Sequence, residues 1–343
     1  NTVDLGNVNG WNITALTAVT YYWIGGSGNW NDPNHWSLSS GGATNGCAIP
    51  SRIDDVIFDA NSFSGSGQYC NMNVVGDCHN MTWNGITSGA RFIGSQQLHV
   101  YGDLTCDANM DWSKSGDVYF QATDAGNKIT TNGIKLYQLR FTGQGVSTGE
   151  WILQDDLACH NYIFFERGNF KSNGKNLDIH SWYNWTGSVA NIDFTGTSTI
   201  EIDYEWRIYP STNITLNMGT ATIHHKSYNH MYFYGGSKTY HDLHIEFLNT
   251  GNYYIRHEYH NTFRDVKITA PGSFYSDWYH NSTFRNFEAY QNGTGNTQQH
   301  FTWHGTNTFN DFTFKGNGNT KPYWRVYNNN TVNGTLILEN LIR

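Results

Sequence analysis

Short segments of alternating apolar and polar residues recur along the chain, roughly every 20 to 25 positions. The clearest copy, residues 307–314, contains an aromatic residue, a variable one, Asn or Asp, an apolar residue, a variable one and another apolar residue. The four best copies begin at Tyr240, Phe263, Phe284 and Phe309, so their spacing is nearly constant. Each copy is typical of a strand that turns at its Asn or Asp.

This period predicts the architecture. A repeat of this length is too short for a helical hairpin, which needs about 33 residues, and the Leu framework of leucine-rich repeats is missing. A β-coil of this length would stack its strands about 4.8 Å above those of the previous coil, so that like residues form columns. The pattern therefore predicts an all-β fold, a right-handed parallel β-helix (β-solenoid), over residues 54–343.

The beginning of the chain follows a different pattern. Residues 1–20 are weakly patterned and predict a lead-in strand or linker. Residues 21–53 place Trp23, Trp30 and Trp36 around a Gly-rich turn and an Asp-Pro turn. Because a β-helix has an exposed hydrophobic end, we predict that this Trp-rich segment is an N-terminal cap.

Composition narrows the function classes. The chain has 16% aromatic residues, which argues against disorder despite 36 Gly and only 14% charged residues. The net charge is −8 and Lys and Arg are scattered, so nucleic-acid binding is not expected. No apolar run approaches the length of a membrane span, and no cofactor is expected.

The five cysteines lack the CxxC spacing of a zinc site. Cys106 and Cys159 follow similar sequences and are interpreted as buried column residues, with a mutual disulfide as the alternative. Cys47, Cys70 and Cys78 lie in the irregular first third, where secretion would allow one disulfide. Its pairing stays open.

Catalysis is not favoured by the acidic residues. The adjacent pairs are Asp54-Asp55 and Asp155-Asp156. Enzymes on parallel β-helices need convergent carboxylates, and neighbouring side chains of a strand point to opposite faces, so neither pair converges without a bulge. We therefore expect no enzyme and assign no catalytic residue.

A column of aromatic-polar pairs is the main binding candidate. The pairs Tyr259-His260, Tyr279-His280, Trp303-His304 and Tyr327-Asn328 recur at nearly the same period as the strands. Rings pointing inward would form a core stack with three histidines outside, which is the favoured interpretation. Rings pointing outward would form a strip that stacks on sugar faces. Imidazoles about 4.8 Å apart could share a transition metal ion, but that geometry suits only two ligands, and no metal site is predicted. The candidate ligand-binding residues are Tyr259, His260, Trp278, Tyr279, His280, Trp303, His304 and Tyr327.

The string Tyr-Trp-Ile-Gly-Gly-Ser-Gly-Asn-Trp-Asn-Asp-Pro-Asn-His-Trp-Ser at residues 22–37, followed by residues 54–59, resembles the opening of repeat units in secreted β-helical surface proteins. These are adhesin-like proteins that Bacteroidota export, and autotransporter passenger domains are more distantly similar. Residues 151–157 and 168–177 also resemble coils of that family. The resemblance implies a non-enzymatic extracellular protein on a bacterial surface that serves as a stalk, filament unit or adhesin.

The same resemblance implies partners at the ends of the chain. Residues 4–11 look like a closing sequence of such a unit, and residues 332–338 form a coil strand without a cap. We therefore expect copies of the chain or flanking tandem repeats as end-to-end partners, with surface glycans as further candidates. A carbohydrate-binding module that uses the stacked aromatic strip is the alternative function, and a polysaccharide lyase or hydrolase is the third.

Overall fold

The computed structural model describes residues 17–44, 46, 48–87, 89–228, 230–294 and 297–341. Strands make up 53% of it, and its described residues form no α-helix, only two short 3-10 turns. The chain forms a β-solenoid of parallel strands, as predicted, with about 12 turns. Contacts divide it into two compact units, the first ending at Ser115 and the second beginning at Gly116. The proposed boundary at residue 53 falls inside the first unit.

The first unit contains eleven strands of two to four residues. Three series of parallel neighbours run through it: β1, β4, β7 and β10; β2, β5, β8 and β11; β6 and β9. The strands are β1 (Thr20–Trp23), β2 (Gly28–Asn29), β3 (Trp36–Ser37), β4 (Asp55–Phe58), β5 (Tyr69–Asn71), β6 (Gly76–Cys78), β7 (Met81–Trp83), β8 (Arg91–Ile93), β9 (Leu98–Val100), β10 (Leu104–Thr105) and β11 (Asp111–Trp112), with a 3-10 turn at Pro33–His35. Each complete coil therefore contributes one strand to each of three sheets.

The Trp-rich segment belongs to this solenoid. Its first strand, β1, pairs in parallel with β4 and antiparallel with β3. Trp23, Trp30 and Trp36 are fully buried, and the indole of Trp36 lies edge-on to both others, with ring centroids 5.0 Å apart in each case. Trp23 also packs against Phe58 of the first full coil at 5.7 Å. These ring contacts support the cap prediction in part.

The second unit contains the remaining strands, and they pair in parallel. The strands are β12 (Val118–Phe120), β13 (Asn127–Thr130), β14 (Lys135–Leu136), β15 (Leu139–Phe141), β16 (Glu150–Leu153), β17 (Leu157–Phe165), β18 (Gly168–Lys171), β19 (Leu177–Asn184), β20 (Ala190–Asp193), β21 (Thr199–Ile208), β22 (Ile214–Asn217), β23 (Thr222–Ser227), β24 (Met231–Tyr234), β25 (Thr239–Phe247), β26 (Asn252–Glu258), β27 (Thr262–Ala270), β28 (Ser273–Trp278), β29 (Thr283–Gln291), β30 (Thr297–Trp303), β31 (Thr308–Val326), β32 (Thr331–Val332) and β33 (Leu336–Leu341), with a 3-10 turn at Gly143–Gly145. From β23 onward, the odd-numbered strands up to β31 form one wall and the even-numbered strands from β24 to β30, followed by the last part of β31, form another.

The repeat found in the sequence sets the register of the first wall. Tyr240, Phe263, Phe284 and Phe309 are direct partners in successive strands, and their rings stack 5.4, 5.6 and 4.9 Å apart. Leu243 is buried although strict alternation from Tyr240 would leave it outside, so the strand bends between them. The predicted register is confirmed, whereas the predicted turn at the Asn or Asp is a bend within a continuous strand.

The cysteines in this part of the structure are core residues. Cys70, Cys78 and Cys159 are buried thiols, and Cys106 is buried as well. Burial raises the pKa of the Cys159 thiol to about 12. The interpretation of Cys106 and Cys159 as buried residues is confirmed. Cys70 and Cys78 are free thiols, which excludes one of the pairings that the sequence left open. Cys47, like the lead-in residues 1–16, lies outside the described residues.

Candidate functional site on the outer wall of the second unit

Two residues of the predicted ligand-binding strip belong to the core. Trp278 and Trp303 are partners in β28 and β30, and their rings stack 5.5 Å apart. Their exposed fractions are 0% and 2%. His257 continues this interior column, with its ring 4.6 Å from that of Trp278. Because these indoles pack inside the solenoid, their assignment to ligand binding is wrong.

The predicted alignment of the aromatic pairs is also wrong by one position. Trp303 aligns with Trp278 rather than with Tyr279, so the register of β30 is shifted against the predicted one. Tyr279 then stacks on His304 with ring centroids 4.2 Å apart, and His304 stacks on Tyr327 at 4.8 Å. Trp278 and Tyr279 are adjacent aromatic residues, and spacing alone does not tell which one faces inward.

The remaining predicted residues lie at the turn that follows these strands. Tyr259 and His280 both adopt the left-handed conformation, with φ of 76° and 70°, and their rings are parallel 6.1 Å apart. His260 contacts His280 at 5.3 Å. His260, His280 and His304 thus occupy three neighbouring columns instead of the single ladder that was predicted. Among the described residues, no group of three or more His, Cys, Asp or Glu could hold a metal ion.

A broad patch of outward side chains, here called the exterior aromatic face, covers this wall. It has three columns of four residues each, two of them rich in rings and the middle one polar. The first column is Tyr254, Tyr275, His300 and Tyr323; the middle column is Arg256, Asp277, Thr302 and Arg325; the third is Glu258, Tyr279, His304 and Tyr327. Four residues along a strand separate the first column from the third, which corresponds to about 13 Å.

From Tyr275 and Tyr279 onward, neighbouring rings in each outer column contact one another. In the first column, the His300 ring lies 4.5 Å from that of Tyr275 and 5.0 Å from that of Tyr323. Tyr323 and Tyr327, the two tyrosines of the last rung, expose 49% and 56% of their surface. The face therefore offers two parallel rows that contain aromatic rings, one on either side of the polar column.

Polar contacts join the polar column to the two outer columns. Arg256 donates to the Glu258 carboxylate at 2.7 Å, and its guanidinium lies over the Tyr279 ring at 5.4 Å. The Tyr254 hydroxyl donates to Asp277 at 2.6 Å, and burial together with that carboxylate raises the pKa of Tyr254. Burial, followed by the nearby Arg325, lowers the pKa of His300. The face therefore carries two guanidinium groups and two carboxylates beside its rings.

The third column extends further along the second unit, where sequence reasoning did not find it. Arg140 lies over the Phe164 ring and Arg207 over the Tyr234 ring, each at 4.1 Å, and Phe164 stacks on Tyr183 at 5.3 Å. These residues are partners in successive strands, in the order Tyr119, Arg140, Phe164, Tyr183, Arg207 and Tyr234. Along this column, two aromatic rings separate the two arginines. The only sequence signal is that each lies beside an inward apolar residue.

The two acidic pairs serve the backbone of the turns. Asp54 accepts from the Val19 and Ser51 amides at 3.0 and 2.9 Å. Asp155 accepts from the Thr131 amide at 2.9 Å, and Asp156 accepts from the Asn176 amide at 2.8 Å. Each carboxylate thus meets a different backbone group, as expected for turn-forming residues.

Comparison with known proteins finds no relative: no family model, no curated protein and no solved structure matches the chain. Within the described ranges, no helix is long and apolar enough to cross a membrane. The resemblance to secreted surface proteins stays a prediction from the sequence motifs.

Proposed function

We propose that this chain is a non-enzymatic structural and adhesive module of an extracellular bacterial surface, a stalk or filament unit. The observation that carries this proposal is that the exterior contacts repeat from coil to coil. Arg264 binds Asp242, and one coil later Arg285 binds Asp265 at 2.6 Å. Such a surface presents equivalent groups at fixed intervals along a ladder of parallel strands.

The last described coil supports end-to-end contacts as part of this function. Val326 and Leu338 pair with core residues of the preceding coil, yet 51% and 50% of their surfaces are exposed. Leu336, the partner of buried Phe312, is also exposed. A flanking tandem coil or a second copy would bury these apolar side chains.

Pulling single molecules by their ends tests the structural role. One coil of the repeat releases about 70 to 85 Å of chain when it unfolds, so we expect sawtooth steps of that length in the second unit. The same preparation is incubated with polysaccharides. Release of shorter sugar products would contradict a non-enzymatic role, and unfolding at forces near thermal noise would contradict a load-bearing one.

A second candidate function, carbohydrate binding, is favoured by the exterior aromatic face. Sugar rings stack their C–H faces on aromatic side chains and hydrogen-bond through their hydroxyls. Here the Tyr279, His304 and Tyr327 stack supplies the rings, and the polar column supplies carboxylate, hydroxyl and guanidinium groups. An extended glycan could follow the polar column from rung to rung.

Affinity electrophoresis in gels that contain soluble polysaccharides tests this candidate. The double variant Tyr279→Ala, Tyr327→Ala should lose at least about tenfold in affinity, because each lost ring contact costs about 1 kcal/mol. Tyr290→Ala is the matched control, since Tyr290 is a partly exposed tyrosine on the other wall, in contact with Glu288 and Lys267. Equal retardation of the double variant and the control would contradict binding at this face.

A further inference from the structure

A cleft of about 420 Å³ opens at a corner of the second unit, next to the first rung of the exterior aromatic face. Its size lies at the small end of the range for ligand sites, about 300 to 1,000 Å³. Strands β19, β21, β23 and β24 and the β23–β24 connection line it. The lining side chains are His180, Asp203, Tyr204, Lys226, Tyr228, His230 and Tyr232, with Ser227 at its base.

A β-bulge assembles the centre of this cleft. Ile179 pairs with Ile202 and Ser181 pairs with Glu205, so the single residue His180 lies opposite both Asp203 and Tyr204. The His180 Nδ1 atom binds the Asp203 carboxylate, and the imidazole stacks on the Tyr204 ring with centroids 5.2 Å apart and planes within 2°. The bulge therefore turns a carboxylate, an imidazole and a phenol toward one place.

Aromatic side chains surround that centre. Tyr232 packs edge-on against Tyr204 at 5.5 Å, and Tyr228 projects from the neighbouring connection with 64% of its surface exposed. An exposed tyrosine beside a cleft contributes little to core packing and is typical of a binding surface. Together these rings supply apolar surfaces at the side and rim of a cleft that contains a carboxylate.

The charges disfavour an anionic ligand. The Lys226 ammonium, the one Lys or Arg side chain in the lining described above, donates to Glu201 at 2.7 Å. Asp203 is bound through only one oxygen by His180, and 60% of its side chain is exposed. A phosphate or uronate would meet this carboxylate without an unpaired cation, whereas sugar hydroxyls could donate to it.

We propose that this corner cleft, formed by Asp203, His180, Tyr204, Tyr228 and Tyr232, is a binding site for a single uncharged pyranose ring. The Asp203 carboxylate accepts from ring hydroxyls, and the tyrosines pack against the apolar face of the sugar. The site adjoins the first rung of the exterior aromatic face, since Tyr232 pairs with Arg256 and His230 contacts Tyr254 with ring centroids 6.2 Å apart. Sugar binding in the cleft does not depend on the proposed structural role or on glycan binding along the face.

The test uses the full chain and the methyl glycosides of glucose, galactose, mannose and N-acetylglucosamine, with glucuronate as the charged comparison. Saturation-transfer NMR detects binding and isothermal titration measures its affinity. At least one neutral glycoside should bind. Asp203→Asn should weaken it about tenfold, because the amide oxygen that replaces the carboxylate accepts only a weaker, uncharged hydrogen bond, and Tyr228→Ala about three- to tenfold.

Two variants make the result specific. Tyr209→Ala removes another exposed tyrosine of the second unit that does not line the cleft, and its affinity should equal that of the wild type. The face variant Tyr279→Ala, Tyr327→Ala should also keep full affinity for the single sugar even if it loses polysaccharides. Near-UV circular dichroism confirms that each variant is folded.

The proposal is overturned if no neutral glycoside binds, if glucuronate alone binds, or if folded Asp203→Asn and Tyr228→Ala bind like the wild type. Loss of the single sugar in the face variant would also overturn it, because the sugar would then sit on the face. If the single sugar binds as expected but the face variant keeps its full affinity for polysaccharides, glycan binding along the face is refuted and the cleft proposal stands.

Discussion

The two units bury aromatic rings in different ways. In the first unit, Trp36 meets Trp23 and Trp30 edge-on, with planes at 85° and 76°. In the second unit, Phe263 stacks on Phe284 with planes within 4°, and Phe284 stacks on Phe309 within 8°. The first arrangement is a single cluster, and the second is repeated from coil to coil.

Strand length explains the difference. Strands of two to four residues alternate with many turns in the first unit, so its rings meet at varied angles. Phe58 stacks on its in-register partner Trp83 with planes within 9°, whereas Trp36 lies edge-on to its neighbours. Strands such as β25, β27 and β29 have nine residues each and run in register, which brings equivalent side chains directly above one another. Loss of one ring should therefore disturb the packing of the whole Trp36 cluster. Loss of one ring from a column should leave the contacts between its other rings in place.

The largest effect should come from the centre of the unique cluster. Trp36→Ala removes a fully buried indole that contacts Tyr21, Trp23, Trp30 and Phe58. Its loss should cost about 3 to 5 kcal/mol. Hydrogen-exchange mass spectrometry should show faster exchange in all strand peptides of the first unit.

The matched change in a column is Phe284→Ala, which removes a buried ring between Phe263 and Phe309. We expect faster exchange in β27, β29 and β31 but unchanged exchange in β17 and β19. If the exchange of Phe284→Ala rises throughout the second unit, the distinction between a unique cluster and a divisible column is lost.

Low pH should destabilise the second unit. His225 and His257 are fully buried, and the Nδ1 atom of each has no hydrogen-bond partner among the described residues. Burial lowers their pKa to about 4 and about 3. Between these values and the usual pKa near 6.5, the unfolded chain binds more protons than the folded chain, so stability falls as pH falls. The two histidines together should remove about 4 kcal/mol between about pH 7 and 5.

Denaturant unfolding at several pH values measures this slope. His257→Phe replaces the imidazole between Phe233 and Trp278 with a ring that does not titrate. It should remove about half of the pH dependence. A slope equal to that of the wild type would show that other groups cause it. The described histidines of the first unit, His35, His79 and His99, are all partly exposed.

Corner side chains should have the next largest effect. Asn307 is fully buried, accepts from the Ser282 amide at 2.9 Å and donates to the Gly305 carbonyl at 3.1 Å. Asn307→Ala leaves that buried amide without its acceptor and should cost about 1 to 3 kcal/mol. Asp54→Ala is the counterpart in the first unit and should cost a similar amount. Thermal unfolding of both variants checks this, and a change below about 0.5 kcal/mol would show that water replaces the side chain.

The sequence predicted the solenoid fold of both units, but it predicted strand register only in the second. The repeat from Tyr240 to Phe309 gave the correct register because a similar inward aromatic residue recurs at nearly constant steps. The same reasoning failed at Trp278 and Tyr279, where two adjacent rings fit the same spacing. The corner cleft could not be predicted from the sequence. The bulge that brings His180 to Asp203 is a register shift between β19 and β21, and neither strand sequence shows it by itself.

The smallest effect should come from exterior ion pairs, and it decides how far the columns outside the solenoid contribute to stability. Arg285 pairs with Asp265 at 2.6 Å while 54% of its side chain is exposed, and in the first unit Arg91 pairs with Asp111 at 3.0 Å. Arg285→Ala and Arg91→Ala should each change the free energy of unfolding by less than about 1 kcal/mol, since exposed pairs are screened by water and salt. Chemical denaturation at low and high salt measures both. A clearly larger loss for Arg285→Ala alone would mean that repetition couples the exterior pairs of the second unit, whereas equal small losses would leave the stability of both units to their buried rings and corners.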